Sequence, residues 1–125
     1  MDQNQIELAI QKCSALIKKN KNNFEYINLR GILHDLQKSY QLALKDFNKA
    51  YQLSKADETL YLKAFTLLNM GQTEEAIEAV RFIGANNLES ICIMRDKIIN
   101  KKLSMIQKRL FDNRYGLGNV GSKVN

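Results

Sequence analysis

Apolar residues recur along this chain three and four positions apart, the spacing that lines up one face of an α-helix. In QLALKDFNKAY, residues 41–51, that face reads small, large, small through Ala43, Phe47 and Ala50. The same pattern occurs in LAIQKCSALI (8–17) and EAIEAVRFIG (75–84). In each, an Ala (Ala9, Ala43, Ala76) is followed four residues on by a larger group (Cys13, Phe47, Val80). Three further on comes another apolar or small residue: Leu16, Ala50 or Ile83. The three Ala residues stand 34 and 33 positions apart. A period of that length predicts stacked helical hairpins, each unable to bury its apolar face alone.

The intervening segments supply the partner helices. FEYINLRGILHDLQ (24–37) carries Phe24, Ile27, Gly31 and His34 on one face. DETLYLKAFTLLNMG (57–71) carries Leu60, Ala64 and Leu67, and Gly71 then ends the helix. Gly31 and Ala64 are separated by the same interval as Ala43 and Ala76. A small residue in mid-helix costs stability, so its use predicts close approach of a neighbouring helix. The small residues of one helix are expected to receive the large residue of the next.

These residues resemble the tetratricopeptide repeat family. Gly31, Ala43, Phe47 and Ala50, with Tyr40 before them, match the signature positions of one full repeat. Ala64, Gly71, Ala76 and the run GQTEEAIEAV are similar to a second. The resemblance covers residues 5 to 86, about two and a half repeats. Ile27 and Leu60 stand where the family has Trp, and the repeat-ending Pro is missing. The implied fold is all-α: antiparallel helical hairpins stacked as a short superhelix. The resemblance also implies a scaffold that takes a peptide or helix in a concave groove. By position, that groove is lined by Asn28, Leu29, Ile32, Leu36, Tyr61, Leu62, Phe65 and Leu68. Ile32 and Leu62 occupy places where the chaperone-tail-binding branch needs polar and basic groups, so no such binding is expected. A partner or the chain's own last helix can equally fill this apolar stripe.

A repeat array needs its ends covered, and residues 88–111 have the pattern to do so. Ile91, Cys92, Ile98, Ile99, Leu103, Ile106 and Leu110 form a helical stripe, with Lys97, Lys101, Lys108 and Arg109 away from it. One long capping helix is expected, its first half on the last hairpin and its second half running beyond the body. The stripe would also allow pairing with a second copy. The expected organisation is a helical domain over 1–111 and an extended Gly-containing tail over 112–125.

Charge changes the picture in one place. Residues 1–94 hold eleven basic and eleven acidic side chains, so the net charge of +6 belongs wholly to the segment 95–125. Lys101, Lys102, Lys108, Arg109, Arg114 and Lys123 make a basic arm suited to an acidic surface. The same bases, with Phe111 and Tyr115 to stack, would also suit RNA.

No catalytic constellation is found. The single histidine, His34, adjoins Asp35, but neighbours in a helix do not face each other. His34 is expected as a packed ring. No phosphate-binding loop, nucleophile motif or metal spacing is found, and GLGNVG (116–121) lacks the flanking strand and helix of a dinucleotide site. Glu74, Glu75 and Glu78 suit a helix N-terminus. Cys13 and Cys92 are expected as buried, reduced thiols of an intracellular protein. No enzyme, cofactor or metal is expected. No apolar run is long enough to span a membrane, and MDQNQIELAI lacks the features of a signal or cleavable presequence. A cytoplasmic setting is expected, with organelle import lacking such a presequence still open. The expected function is a non-enzymatic protein–protein interaction adaptor, a small subunit or docking factor of a larger complex. The alternative is an accessory ribonucleoprotein subunit that touches RNA through the basic region.

Overall fold

In the computed structural model, residues 1–83 and 88–111 are described. The tail over 112–125, with Arg114, Tyr115 and Lys123, lies outside them, as does Gly84 at the end of the segment EAIEAVRFIG. The described residues form six α-helices and no strand: α1 (Gln3–Lys19), α2 (Phe24–Leu36), α3 (Tyr40–Ser54), α4 (Asp57–Asn69), α5 (Thr73–Val80) and α6 (Leu88–Ile106). The fold is all-α, with each of α1 to α5 packed on its neighbour in the chain. The short connections leave adjacent helices no option but to fold back on one another.

Local signals explain where the helices start and stop. Asp2 begins α1 with a reciprocal capping box: its carboxylate accepts from the Gln5 amide, and the Gln5 side chain accepts from the Asp2 amide. Asn23 caps α2 through the Tyr26 amide. The exits from α2 and α4 repeat each other. Lys38 and Gly71 both adopt positive φ, 64° and 80°, just past the helix. The next amides, of Ser39 and Gln72, then reach back to the His34 and Leu67 carbonyls at 2.9 Å. The helix starts keep the interval read from the sequence: Phe24 of α2 to Asp57 of α4 equals Tyr40 of α3 to Thr73 of α5, and both equal Ala43 to Ala76.

The small-for-large expectation is met between α2 and α3. A Cβ placed on Gly31 would lie 2.6 Å from the Phe47 ring, so only glycine lets that ring lie against the α2 backbone. Phe47 is 1% exposed, and Ala9, Ala43, Ala50, Ala64 and Ala76 are fully buried.

Three apolar clusters follow one another along the stack. The first joins α1 and α2 through Ile6, Ala9, Cys13, Leu29 and Leu33. The second joins α2, α3 and α4 through Ile32, Ala43, Phe47 and Leu62. The third joins α4 and α5 through Ala64, Leu67, Ala76 and Val80. All three are completed by the C-terminal segment: Ile91 enters the third, Ile98 and Ile99 the second, and Ile106 and Leu110 the first.

Four expectations need correction here. The second half of the last helix does not run beyond the body: Ile106 and Leu110 are buried against α1 and α2, whose apolar face would otherwise meet water. The regular helix stops at Ile106, and Gln107–Phe111 form a wider π-helical turn. The segment after α5 narrows to a 3₁₀ turn at Arg81–Ile83 and leaves Phe82 89% exposed. Cys92 is exposed rather than buried, because the face toward the body is taken by Ile91 and Ile98.

Candidate interaction surface

The eight predicted groove residues all lie on α2 and α4, but they do not form an open groove. Leu29, Ile32 and Leu62 are interior, at 0, 1 and 2% exposure. Ile98, Ile99 and Leu103 of α6 pack in the same cluster as Ile32 and Leu62. The chain's own last helix therefore covers the apolar face of α2 and α4. The stripe that would have paired with a second copy is spent in the same way. Ile91, Ile98, Ile99, Ile106 and Leu110 are all buried in this layer. Asn28 is no ligand-facing group either. It is 2% exposed and donates to the buried Thr59 hydroxyl at 2.9 Å, tying α2 to α4. Tyr61, Phe65 and Leu68 are half-buried, and Leu36 is exposed.

Around this seam the basic residues divide into two rows. The inner row is Arg95, Lys102 and Arg109, at heptad spacing, so that two helical turns separate each from the next. The Arg95 guanidinium lies 4.0 Å from the centre of the Phe65 ring on α4. It also acts on Asp35 at the end of α2, whose carboxyl is pushed up by burial and held back in part by an Asn69 hydrogen bond and by Arg95. Lys102, 6% exposed, meets Glu58 of α4 at 2.7 Å. Arg109 pairs with Glu25 of α2. The end of the chain's described part is held by Lys12 of α1, which donates to the Leu110 carbonyl at 2.8 Å and lies over the Phe111 ring.

The outer row is Lys97, Lys101 and Lys108, all exposed, and none has an acidic partner among the described residues. Ile93, half exposed, stands one turn before Lys97. Thus the basic arm expected as one unit is two. Lys102 and Arg109 are structural, Lys101 and Lys108 face outward, and Arg114 and Lys123 lie outside the described residues. The heptad recurrence of bases at 95, 102 and 109 was the signal available for this division.

A second polar network sits inside the hairpins. Arg30 of α2 grips Asp46 of α3 with two hydrogen bonds, at 2.8 and 2.9 Å, and donates to Ser14 of α1. This bidentate pairing raises the already high pKa of the guanidinium. His34 has Nε2 3.7 Å from Asp46, and its buried Nδ1 has no hydrogen-bond partner among the described residues. Burial lowers its pKa, although Asp46 opposes that and Arg30 adds to it. The adjacent Asp35 points elsewhere, toward Asn69. Burial also pushes the Cys13 thiol up to about 12, which leaves it unreactive. No cluster of three or more His, Cys, Asp or Glu suited to a metal occurs among the described residues, and no described helix is long and apolar enough to cross a membrane.

Comparison of the chain with family models, with curated proteins and with solved structures found no match.

Proposed function

We propose that this chain is a non-enzymatic protein–protein interaction adaptor of the tetratricopeptide-repeat type, a small intracellular subunit or docking factor that binds an acidic protein surface through the outer face of α6. The constant interval between equivalent helix starts, and the seating of Phe47 on Gly31, support the repeat reading. One observation carries the partner reading: the two-row division of bases on the C-terminal helix. In the inner row Lys102 and Arg109 pair with body acids and Arg95 with Asp96 beside it, whereas Lys97, Lys101 and Lys108, without an acidic partner among the described residues, present charge along about 16 Å of the C-terminal helical segment. A charged row on a packed helix is already ordered, so binding costs little of the entropy that a loose arm would lose.

A protein partner is favoured over RNA by the state of Phe111. Its ring is packed in the first cluster beneath Lys12, and so is not presented for stacking on a base.

The test is affinity purification of the tagged full chain from its native cells, with and without nuclease. The variant for comparison reverses all three outer charges, Lys97→Glu, Lys101→Glu and Lys108→Glu. Partners retained through nuclease, weakened by salt and lost with the triple variant are the expected result. Partners kept by the triple variant sink this reading, and partners lost with nuclease replace it by a ribonucleoprotein.

A further inference from the structure

The repeat interval brings two sets of residues to equivalent places in successive hairpins and gives them different chemistry. In the first hairpin, Arg30 of α2 binds both carboxylate oxygens of the buried Asp46 on α3 and donates to Ser14 of α1, so one base ties three helices. The residues 33 positions further on are Lys63 of α4 and Ala79 of α5, and Asn48 of α3 stands 34 after Ser14. The base is kept and its acid is gone. A cleft of about 550 Å³ opens at this place, with Lys63, Asn48 and Ala79 in its wall and Leu44, Leu67 and Met70 as its aliphatic part. Lys63, Leu67 and Met70 recur four and three residues apart, on the side of α4 turned away from Glu58 and Phe65, which meet α6. The cleft is therefore separate from the face that the C-terminal helix covers.

The charges that line it are opposite and unpaired. Lys63 has no acidic partner among the described residues, and Glu75 of α5 has no basic one. Both face the cleft, yet no ion pair joins them. Glu78, also lining it, is held by Arg81 at 2.9 Å. The amide side chains of Gln41, Asn48 and Gln72 add donors and acceptors suited to a peptide main chain. We infer that this cleft binds an extended segment of a partner protein with an acidic and a basic side chain on one face, the carboxylate at Lys63 and the cation at Glu75. The Arg30–Asp46 pair is the template within the molecule, since the incoming carboxylate takes the part that Asp46 plays in the first hairpin. A purely acidic segment would meet Glu75 and Glu78, and a purely basic one would meet Lys63, so the occupant carries both signs. Gln41, Asn48, Glu75 and Glu78 are exposed, which makes the cleft an open trough. A small zwitterion would stay largely in water there, whereas a segment of several residues also covers the aliphatic wall. This surface is separate from the outward lysine row of α6, and either reading can fail without the other.

The experiment uses the full chain and two capped peptides, acetyl-Gly-Ala-Asp-Ala-Lys-Ala-Gly-amide and the reverse order acetyl-Gly-Ala-Lys-Ala-Asp-Ala-Gly-amide. In an extended chain the Asp and Lys of each project to the same side. Titration is followed in amide proton–nitrogen correlation spectra. The better-binding order should shift amides of α3, α4 and α5 around the cleft. Replacing its Asp by Asn, or its Lys by Gln, should weaken it roughly threefold or more. The Lys63→Gln chain should lose the preference for Asp, and Lys63→Arg should keep it. Glu75→Gln should lose the preference for Lys. The decisive variant is Ala79→Asp, which puts a carboxylate where Asp46 stands in the first hairpin. It should pair with Lys63 in cis and abolish peptide binding. Circular dichroism checks that each variant keeps its helices, and should Ala79→Asp unfold, Lys63→Gln and Glu75→Gln decide the matter. Binding that ignores the change of Asp to Asn, persists in the folded Ala79→Asp chain, or shifts α1 and α6 as much as the cleft overturns the inference. No saturation by either order up to about 10 mM overturns it too.

Discussion

The contact of α3 on α2 and the contact of α6 on α2 and α4 both bury aliphatic and aromatic surface, yet they are built on different rules. In the first, a glycine in mid-helix lets the Phe47 ring rest on the backbone, and fully buried Ala43 and Ala50 keep the two axes close. Fit is decided there by shape, with the Arg30–Asp46 pair as its main charged contact. In the second, no close approach of backbones is needed. Branched aliphatics fill the seam while three bases at heptad spacing set the register from its edges. The lesson is that shape joins the two helices of a hairpin, whereas charge at fixed intervals positions the helix that crosses the stack.

Breaking the first contact should cost most. Phe47→Ala is expected to lose about 3–5 kcal/mol, measured by urea denaturation, because a ring 1% exposed leaves a cavity that close-packed neighbours cannot fill. Gly31→Ala should lose about 1–3 kcal/mol by overpacking the same spot. Combined with Phe47→Leu, it should cost less than the sum of the two single changes. Strict additivity would show that the contact is not the source of either loss.

The second contact should yield smaller and graded losses. Glu58→Gln leaves the buried Lys102 ammonium without its counter-charge, and about 1–3 kcal/mol should be lost. Arg109→Gln, at the exposed pair with Glu25, should change stability by less than about 1 kcal/mol. Equal effects at the two sites would mean that burial does not separate them.

Mild acid should distinguish the two contacts further. His34 lies on the hairpin side, and burial holds its pKa below the ordinary value of 6.5. The unfolded chain therefore takes up a proton near that value before the folded chain does. The stability contribution is complete above about pH 6.5 and is lost as pH falls from there toward the lowered folded pKa. Asp35, whose pKa is raised by burial, works in the opposite direction, since its folded form gains a proton first on acidification. Comparing wild type with His34→Gln cancels that contribution. The variant should lose less stability between about pH 7.5 and 5.5. Parallel losses would assign the acid response to another group.

The helices and their small-large-small faces were legible from the order of residues, because helical periodicity is local and the repeat interval copies it along the chain. So was the burial of Ala9, Ala43, Ala50, Ala64 and Ala76. The helix exits were legible only in part. Gly71 announces its turn, but Lys38 takes the equivalent left-handed position with no compositional sign, because the preceding helix and the following Ser39 bond impose it. The eight groove residues were placed on the right helices, yet whether they face a partner depends on where α6 lies, and no local pattern states that. The basic arm was visible as a surplus of charge. Its division into a paired row and a row without acidic partners among the described residues needed Glu25 and Glu58 to be brought to Arg109 and Lys102 from distant parts of the chain.

By itself, then, the sequence determined the helices, their repeat and the side each turns inward, since those follow from spacing within a few turns. Only the tertiary structure decided that α6 closes over α2 and α4, burying Lys102 and leaving Lys97, Lys101 and Lys108 in water. The reason is physical: an apolar stripe is satisfied by any surface that removes it from water, and non-directional burial does not specify which surface that will be.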